Sequence, residues 1–186
     1  LPVWTSDGKK VIYSSGSRVG GDLAWVPADN SGPPAKILAD GKTYRAHDVS
    51  PAGTVLIAAQ GTPTDSGSTY VAVPLTGDVT RGASPRIVLQ SPYQINGVHF
   101  STDGRLVAYQ SNETGRTEIY VSPYPGPGAR TAISATGGSG ARWGDNGELF
   151  YVDGDGRLMA VGVQAGPTFR AGVPQALLHA PIISYV

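Results

Sequence analysis

The sequence predicts an all-β fold assembled from repeated four-stranded antiparallel units. Three observations lead there. Glycine (26) and proline (15) fill more than a fifth of the 186 residues. The usual share is roughly 12%, so many turns and hence many short strands are expected. Hydrophobic residues make up 40% of the chain and charged ones 15%, enough apolar matter for a core. Finally, one apolar–turn–apolar cassette occurs four times along the chain, and internal repetition of this kind decides the architecture.

Each cassette opens with a short strand that ends on a large apolar residue: Trp4, Val49, Phe100 and Trp143. A turn follows, with its glycine at Gly8, Gly53, Gly104 and Gly147, roughly 45 residues apart. Asp-Gly or Asn-Gly between apolar segments marks a hairpin, because glycine accepts the positive φ of a tight turn. The second strand is apolar on consecutive positions, as in Val11-Ile12-Tyr13, Val55-Leu56-Ile57, Leu106-Val107-Ala108-Tyr109 and Leu149-Phe150-Tyr151. A strand covered on both faces reads this way. The third strand runs through Leu23–Val26, Tyr70–Val73, Ile119–Val121 and Leu158–Val161. The fourth, through Ala35–Leu38, Arg86–Leu89, Thr131–Ile133 and Gln175–Leu178, is more polar, as an outer strand should be. Four antiparallel strands per repeat with both faces buried is the pattern of a β-propeller blade. A β-sandwich also has short strands and frequent turns, but it predicts strict alternation and no fixed period. The expected blades are 1–44, 45–95, 96–139 and 140–186, within a single propeller region spanning 1–186.

The turns Trp4-Thr5-Ser6-Asp7-Gly8-Lys9 and Phe100-Ser101-Thr102-Asp103-Gly104-Arg105 resemble the W-S-P-D-G-[KR] turn of the TolB-like, WD40-like propeller repeat. The stretches Ser111–Val121, Pro123–Gly128, Gly147–Tyr151 and Gly156–Val161 extend the likeness, as does Gly166–Gly172. Together they resemble the propeller at the C-terminal side of bacterial serine/threonine kinases and in related sensor or secreted proteins. The likeness is weakest between Arg45 and Ser91, where Ala52 stands in place of the turn aspartate. The resemblance implies a location outside the cytoplasm. It also implies a longer parent, since such propellers more often have six to eight blades. Four blades then form part of a larger ring, or an open array whose apolar end faces seek a partner, including self-association.

Several function classes are set aside. Fourteen basic and fourteen acidic side chains give zero formal charge, which argues against nucleic acid as a partner. The absence of cysteine excludes disulfides, thiolate catalysis and Cys-ligated zinc. No apolar run approaches the roughly 18 residues of a membrane span, and Leu1-Pro2-Val3-Trp4 does not read as a signal peptide. There is no G-x-S-x-G; Gly137-Gly138-Ser139-Gly140-Ala141 lacks the last glycine. Walker A, kinase and H-E-x-x-H signatures are absent from this chain, so no catalytic residue and no cofactor are expected. Asp153-Gly154-Asp155-Gly156 fails the calcium-loop pattern, with Arg157 at position 5 and Leu158 at position 6. It reads as a hairpin turn. Asp7, Asp103 and Asn146 read as turn residues that bind the amide two positions on. His47, His99 and His179 read as structural, and no metal site is expected. Pro125-Gly126-Pro127-Gly128 reads as a stiff loop, and Tyr13, Tyr109 and Tyr151 as blade packing.

One constellation points to binding. Val3, Asp48, His99 and Arg142 each stand directly before the apolar anchor, and so share a register on the innermost strand. Those strands line the channel of a propeller. A carboxylate, an imidazole and a guanidinium there could hold a small polar ligand or a charged peptide terminus. The alternative is a polar network between blades, with Asp48 pairing Arg142 or His99. The expected function is a non-catalytic binding or sensor module for a protein or small polar ligand. The alternative expectation is the gating propeller of a prolyl-oligopeptidase-like serine peptidase.

Overall fold

The structure, a computed structural model, describes residues 2–17, 20–61, 67–75, 84–126, 128–164 and 169–179. These residues form antiparallel strands and turns, with no helix among them. The all-β fold expected from the sequence is the one observed. The chain divides into two compact units, Leu1–Gln94 and Ile95–Val186.

The first unit holds β1 (Val3–Trp4), β2 (Lys10–Ser17), β3 (Gly20–Pro27) and β4 (Ala35–Leu38), then β5 (Tyr44–Val49), β6 (Val55–Gln60), β7 (Ser68–Pro74) and β8 (Arg86–Ser91). Each set of four pairs in chain order, and one bridge from Gly21 to Tyr44 links the two sets. In the second unit β9 (Ile95–Phe100), β10 (Leu106–Ser111), β11 (Glu118–Pro123) and β12 (Thr131–Ala132) form the third set. The fourth set is β13 (Gly138–Trp143), β14 (Glu148–Asp153) and β15 (Arg157–Gln164), with its outer strand in two pieces, β16 (Arg170–Ala171) and β17 (Gln175–His179). Both pieces pair with β15.

The repeated turn is built from side-chain chemistry. Gly8, Gly53, Gly104 and Gly147 have φ of 68°, 69°, 70° and 79°, the left-handed region that glycine enters without cost. Asp7 accepts from the Lys9 amide at 3.0 Å and Asp103 from the Arg105 amide at 3.0 Å. Asn146 does the same for Glu148 at 3.2 Å. A hydroxyl after the anchor closes the turn: Thr5 accepts from the Lys10 amide, Ser50 from Val55 and Ser101 from Leu106, at 3.0, 3.1 and 2.9 Å. Ser50 thus serves the turn in which Ala52 replaces aspartate. Gly144 stands at that place in the fourth turn, which is one residue shorter. In the loop beyond β14, Asp153 accepts from the amides of Asp155 and Arg157 and from Arg157 Nε at 2.9 Å. This is the hairpin read from the sequence.

Within each unit, one sheet packs its face on the other. Leu56, Val71 and Val73 meet Ile12, Leu23 and Ile37 in the first. Leu149, Tyr151 and Val161 meet Ile119, Val121 and Ile133 in the second. The consecutive apolar runs of β6, β10 and β11 are buried on both faces. Two elements depart from expectation. Trp4, read as an anchor like Phe100, is 59% exposed whereas Phe100 is 6% exposed. Val49 and Trp143, at the same register, are covered by the other sheet of their own unit, and Trp143 Nε1 donates to the His99 carbonyl at 3.1 Å. Trp4 lies on the face of its sheet that the second sheet does not cover. Strand β14 alternates, with Phe150 and Val152 only half-buried, for the same reason.

Candidate functional site

The backbone pairing fixes where the four register residues stand. Val3 pairs with Ile12, Asp48 with Ile57, His99 with Ala108 and Arg142 with Phe150. The next strand continues each row with Trp25, Ala72, Val121 and Ala160. Val3, Asp48, His99 and Arg142 therefore hold one equivalent position on the first strand of each sheet.

The strands carrying Asp48, His99 and Arg142 are all bulged just before that position. The register shifts between Ala46 and Asp48, opposite Ala108 to Gln110, and between Ser139 and Arg142. In the second unit, Gly97 (φ 59°) and Gly140 (φ 66°) occupy the same place in the two bulges. A left-handed glycine that opens a bulge bends the strand and re-aims the side chains after it. At Gly97 the space is also taken, since a Cβ there would stand 2.7 Å from Gln110 Nε2.

The second unit brings His99 and Arg142 together. Arg142 Nη1 lies 2.8 Å from His99 Nε2 and donates to the Ala141 carbonyl at 2.7 Å. Trp143, one residue on, bonds the His99 carbonyl, so side chain and backbone of His99 are both tied to the fourth sheet. Arg142 is exposed and His99 half-buried. Among the described residues only Nη1 of the guanidinium is engaged, which leaves its Nε–Nη2 edge open. That edge is the fork that receives a carboxylate bidentately. Asp48 belongs to the first unit, where its Oδ1 accepts from the Val49 amide at 2.9 Å. His47 stands edge-on to Tyr70, with centroids 4.9 Å apart, which is packing within its own sheet. His179 is exposed at the end of β17.

A second feature escaped the sequence reading. A cleft of about 300 Å³ opens in the first unit beside Trp25, walled by Ile12, Ile37 and Leu75 and rimmed by Thr5, Asp7 and Lys10. The ammonium of Lys10 sits 3.9 Å from the Trp25 ring centroid, a cation–π contact. The Thr5 hydroxyl and the Lys9 amide hold the Asp7 carboxyl below the ordinary value. The corresponding seam of the second unit is filled by Leu106, Val121, Ile133 and Val163, with Phe169 packed on them. The signal was present in the register row, where Trp25 stands against Ala72, Val121 and Ala160.

No protein-family model matches the sequence, and no curated protein matches it. Solved structures do. TolB from Acinetobacter baumannii aligns with 97% of this chain and 44% of its own, at 17% identity and a TM-score of 0.62. Prolyl oligopeptidase B from Galerina marginata aligns with 95% of this chain and 26% of its own, at 15% identity and a TM-score of 0.63. The hydrazine synthase of Kuenenia stuttgartiensis aligns with 86% of this chain and 51% of its own, at 14% identity and a TM-score of 0.63. The chain thus spans about half or less of each of these neighbours. Likeness at this identity speaks for the fold alone, and the fold is a TolB-like β-propeller.

Proposed function

We propose that the chain is a non-catalytic propeller module that binds a protein or small polar ligand through a carboxylate, received by Arg142. The observation that supports this is the Arg142–His99 contact. It occupies Nη1, fixes the plane of the guanidinium and leaves the Nε–Nη2 fork exposed. A free peptide carboxy terminus or a small organic acid fits that fork. Titration calorimetry with short peptides, each as free acid and as carboxamide, tests the reading. Saturable binding of the free acid, lost on amidation and in Arg142→Ala, is expected. No saturable binding to any free acid, or binding indifferent to Arg142→Ala, refutes it. Asp48→Asn tests the remaining register carboxylate separately. The kinase association and the extracytoplasmic location belong to this reading and rest on the repeat motifs.

A second reading, a gating propeller of a serine peptidase, draws support from the likeness to prolyl oligopeptidase B. An α/β domain with G-x-S-x-G encoded next to this segment would favour it. Peptide hydrolysis by the 186-residue chain alone would refute the non-catalytic proposal.

A further inference from the structure

The cleft beside Trp25 lies wholly within the first unit, and the second unit repeats its walls position by position. Lys10 pairs with Pro27 as Leu106 pairs with Pro123, and Trp25 pairs with Ile12 as Val121 pairs with Ala108. Ile37 follows Lys36, the partner of Ala24, as Ile133 follows Ala132, the partner of Tyr120. The Leu75 amide donates to the Thr54 carbonyl as the Val163 amide donates to the Gly147 carbonyl.

The two seams differ at two places. Leu106 is buried in the second unit, whereas Lys10 in its place is exposed and rests its ammonium 3.9 Å from the Trp25 ring centroid. Phe169 packs on the second seam. It stands in a Gly-x-x-Phe-Arg-x-x-x-Pro stretch over 166–174 that reads Gly-x-x-Thr-Arg-x-x-x-Pro over 77–85. The residue matching Phe169 is therefore Thr80, which lies outside the described residues and whose side chain carries no ring. Where the second unit has Leu106 and Phe169, the first has a cleft of about 300 Å³, a volume that takes a small ligand.

The polar edge of the cleft selects that ligand further. Lys10 and Asp7 are the only charged residues among its described lining. Asp7 takes the Thr5 hydroxyl at 2.6 Å and the Lys9 amide at 3.0 Å, both on Oδ1, and its Oδ2 takes no hydrogen bond among the described residues. One ammonium and one carboxylate thus stand over a wall of Ile12, Ile37 and Leu75.

We propose that this cleft binds a small aromatic amino acid. The ring lies on the wall as Phe169 does in the second unit, the ligand carboxylate pairs with Lys10 and its ammonium with Asp7. A ligand with only one charge meets one partner and one like charge at this edge, so the zwitterion is favoured. The site is independent of the Arg142 fork, which belongs to the second unit.

Titration calorimetry of the intact chain with L-phenylalanine tests this. Saturable binding is expected, and it should persist in Arg142→Ala. L-Alanine, which has no ring, should not bind. Phenylpropionate and phenethylamine, which lack the ammonium and the carboxylate respectively, should bind about tenfold or more weakly. Lys10→Met, and Asp7→Asn with its turn acceptor kept, should each weaken L-phenylalanine by a similar factor. Leu75→Trp, which fills the cleft, should abolish binding. Circular dichroism establishes that the variants keep their strands, and Lys10→Met decides by itself should Leu75→Trp not fold. No saturable binding of L-phenylalanine overturns the inference. So does binding that is lost in Arg142→Ala, that ignores Lys10→Met, or that phenylpropionate matches.

Discussion

Glu118 accepts a hydrogen bond from the hydroxyl of Ser134, and both side chains are buried. The same carboxylate accepts from the Gly137 amide at 3.0 and 3.1 Å and from Arg116 Nε at 2.7 Å. Ser134 Oγ in turn accepts from the Ile119 amide at 2.8 Å. Residues 134–137 lead from β12 into β13, so this one carboxylate ties the third sheet to the start of the fourth. Removing it strands buried donors. Glu118→Ala should cost about 2–3 kcal/mol, and Ser134→Ala about 1–2 kcal/mol. The double variant should cost less than the two losses added, because the residues share one network. Urea unfolding of the four proteins checks this, and strict additivity would refute the coupling.

The contact between His99 and Arg142 fixes a tautomer. A guanidinium offers only N–H donors, so His99 Nε2 must accept, which puts the proton of the neutral ring on Nδ1. Imidazole nitrogen shifts from NMR should report the Nδ1–H form for His99 at neutral pH. Arg142→Ala should relax that preference. An Nε2–H ring in the wild type would mean that the pair is not bonded as described.

Much of the fold was legible because its signals are local. Gly8, Gly53, Gly104 and Gly147 must be left-handed for the turn to close, and in three of the four turns Asp7, Asp103 or Asn146 satisfies an amide two residues on. What was hidden depends on partners far along the chain. Glu118 reads as a solvated charge until Ser134 and Gly137 are seen to surround it. Trp4 and Phe100 sit in the same cassette, yet Phe100 is buried, with Tyr124 edge-on at 4.9 Å, while Trp4 is exposed. The shared position of Val3, Asp48, His99 and Arg142 followed from the repeat. The bulges that re-aim their side chains did not, since Gly97 and Gly140 resemble any loop glycine until the strands are paired. The Trp25 cleft was visible only once cross-strand rows could be compared.

The turn aspartates set an acid limb. Burial pushes the Asp103 carboxyl up, but the hydrogen bonds from the Ser101 hydroxyl and the Arg105 amide, with the Arg105 charge, outweigh it. Its pKa therefore falls below the ordinary 3.8. A carboxyl depressed in the folded state binds protons more readily when unfolded. Its contribution is thus full above about 3.8 and is lost as pH falls through the depressed folded value. Asp103→Asn keeps an acceptor but carries no charge. The stability difference between wild type and Asp103→Asn should be present at pH 7 and shrink steadily below pH 4. A difference that stays constant with pH would show that the charge contributes nothing.

Tyr70 and Tyr109, among the buried phenols, contribute to the alkaline limb with the opposite sign. Burial pushes Tyr70 and Tyr109 from 10.0 up to about 12, with the Arg45 and Arg130 charges respectively pulling each part of the way back. The residues are 1% and 3% exposed. The unfolded chain releases these protons near pH 10 and the folded chain holds them, so the native state binds more protons in between. Their contribution is complete below pH 10 and is lost as pH rises toward 12. Tyr70→Phe keeps the buried ring and removes the hydroxyl that stands 3.5 Å from His47 Nε2, so the pH-dependence above pH 10, rather than the offset at neutral pH, carries the test. Above pH 10, the variant should lose stability less steeply than the wild type. Unfolding free energies from pH 8 to pH 11.5 measure the slope, while phenolate absorbance follows ionisation of the folded chain. Equal slopes in the two proteins, or all nine tyrosines ionising together near pH 10 while the chain stays folded, would rule out burial as the source of the shift.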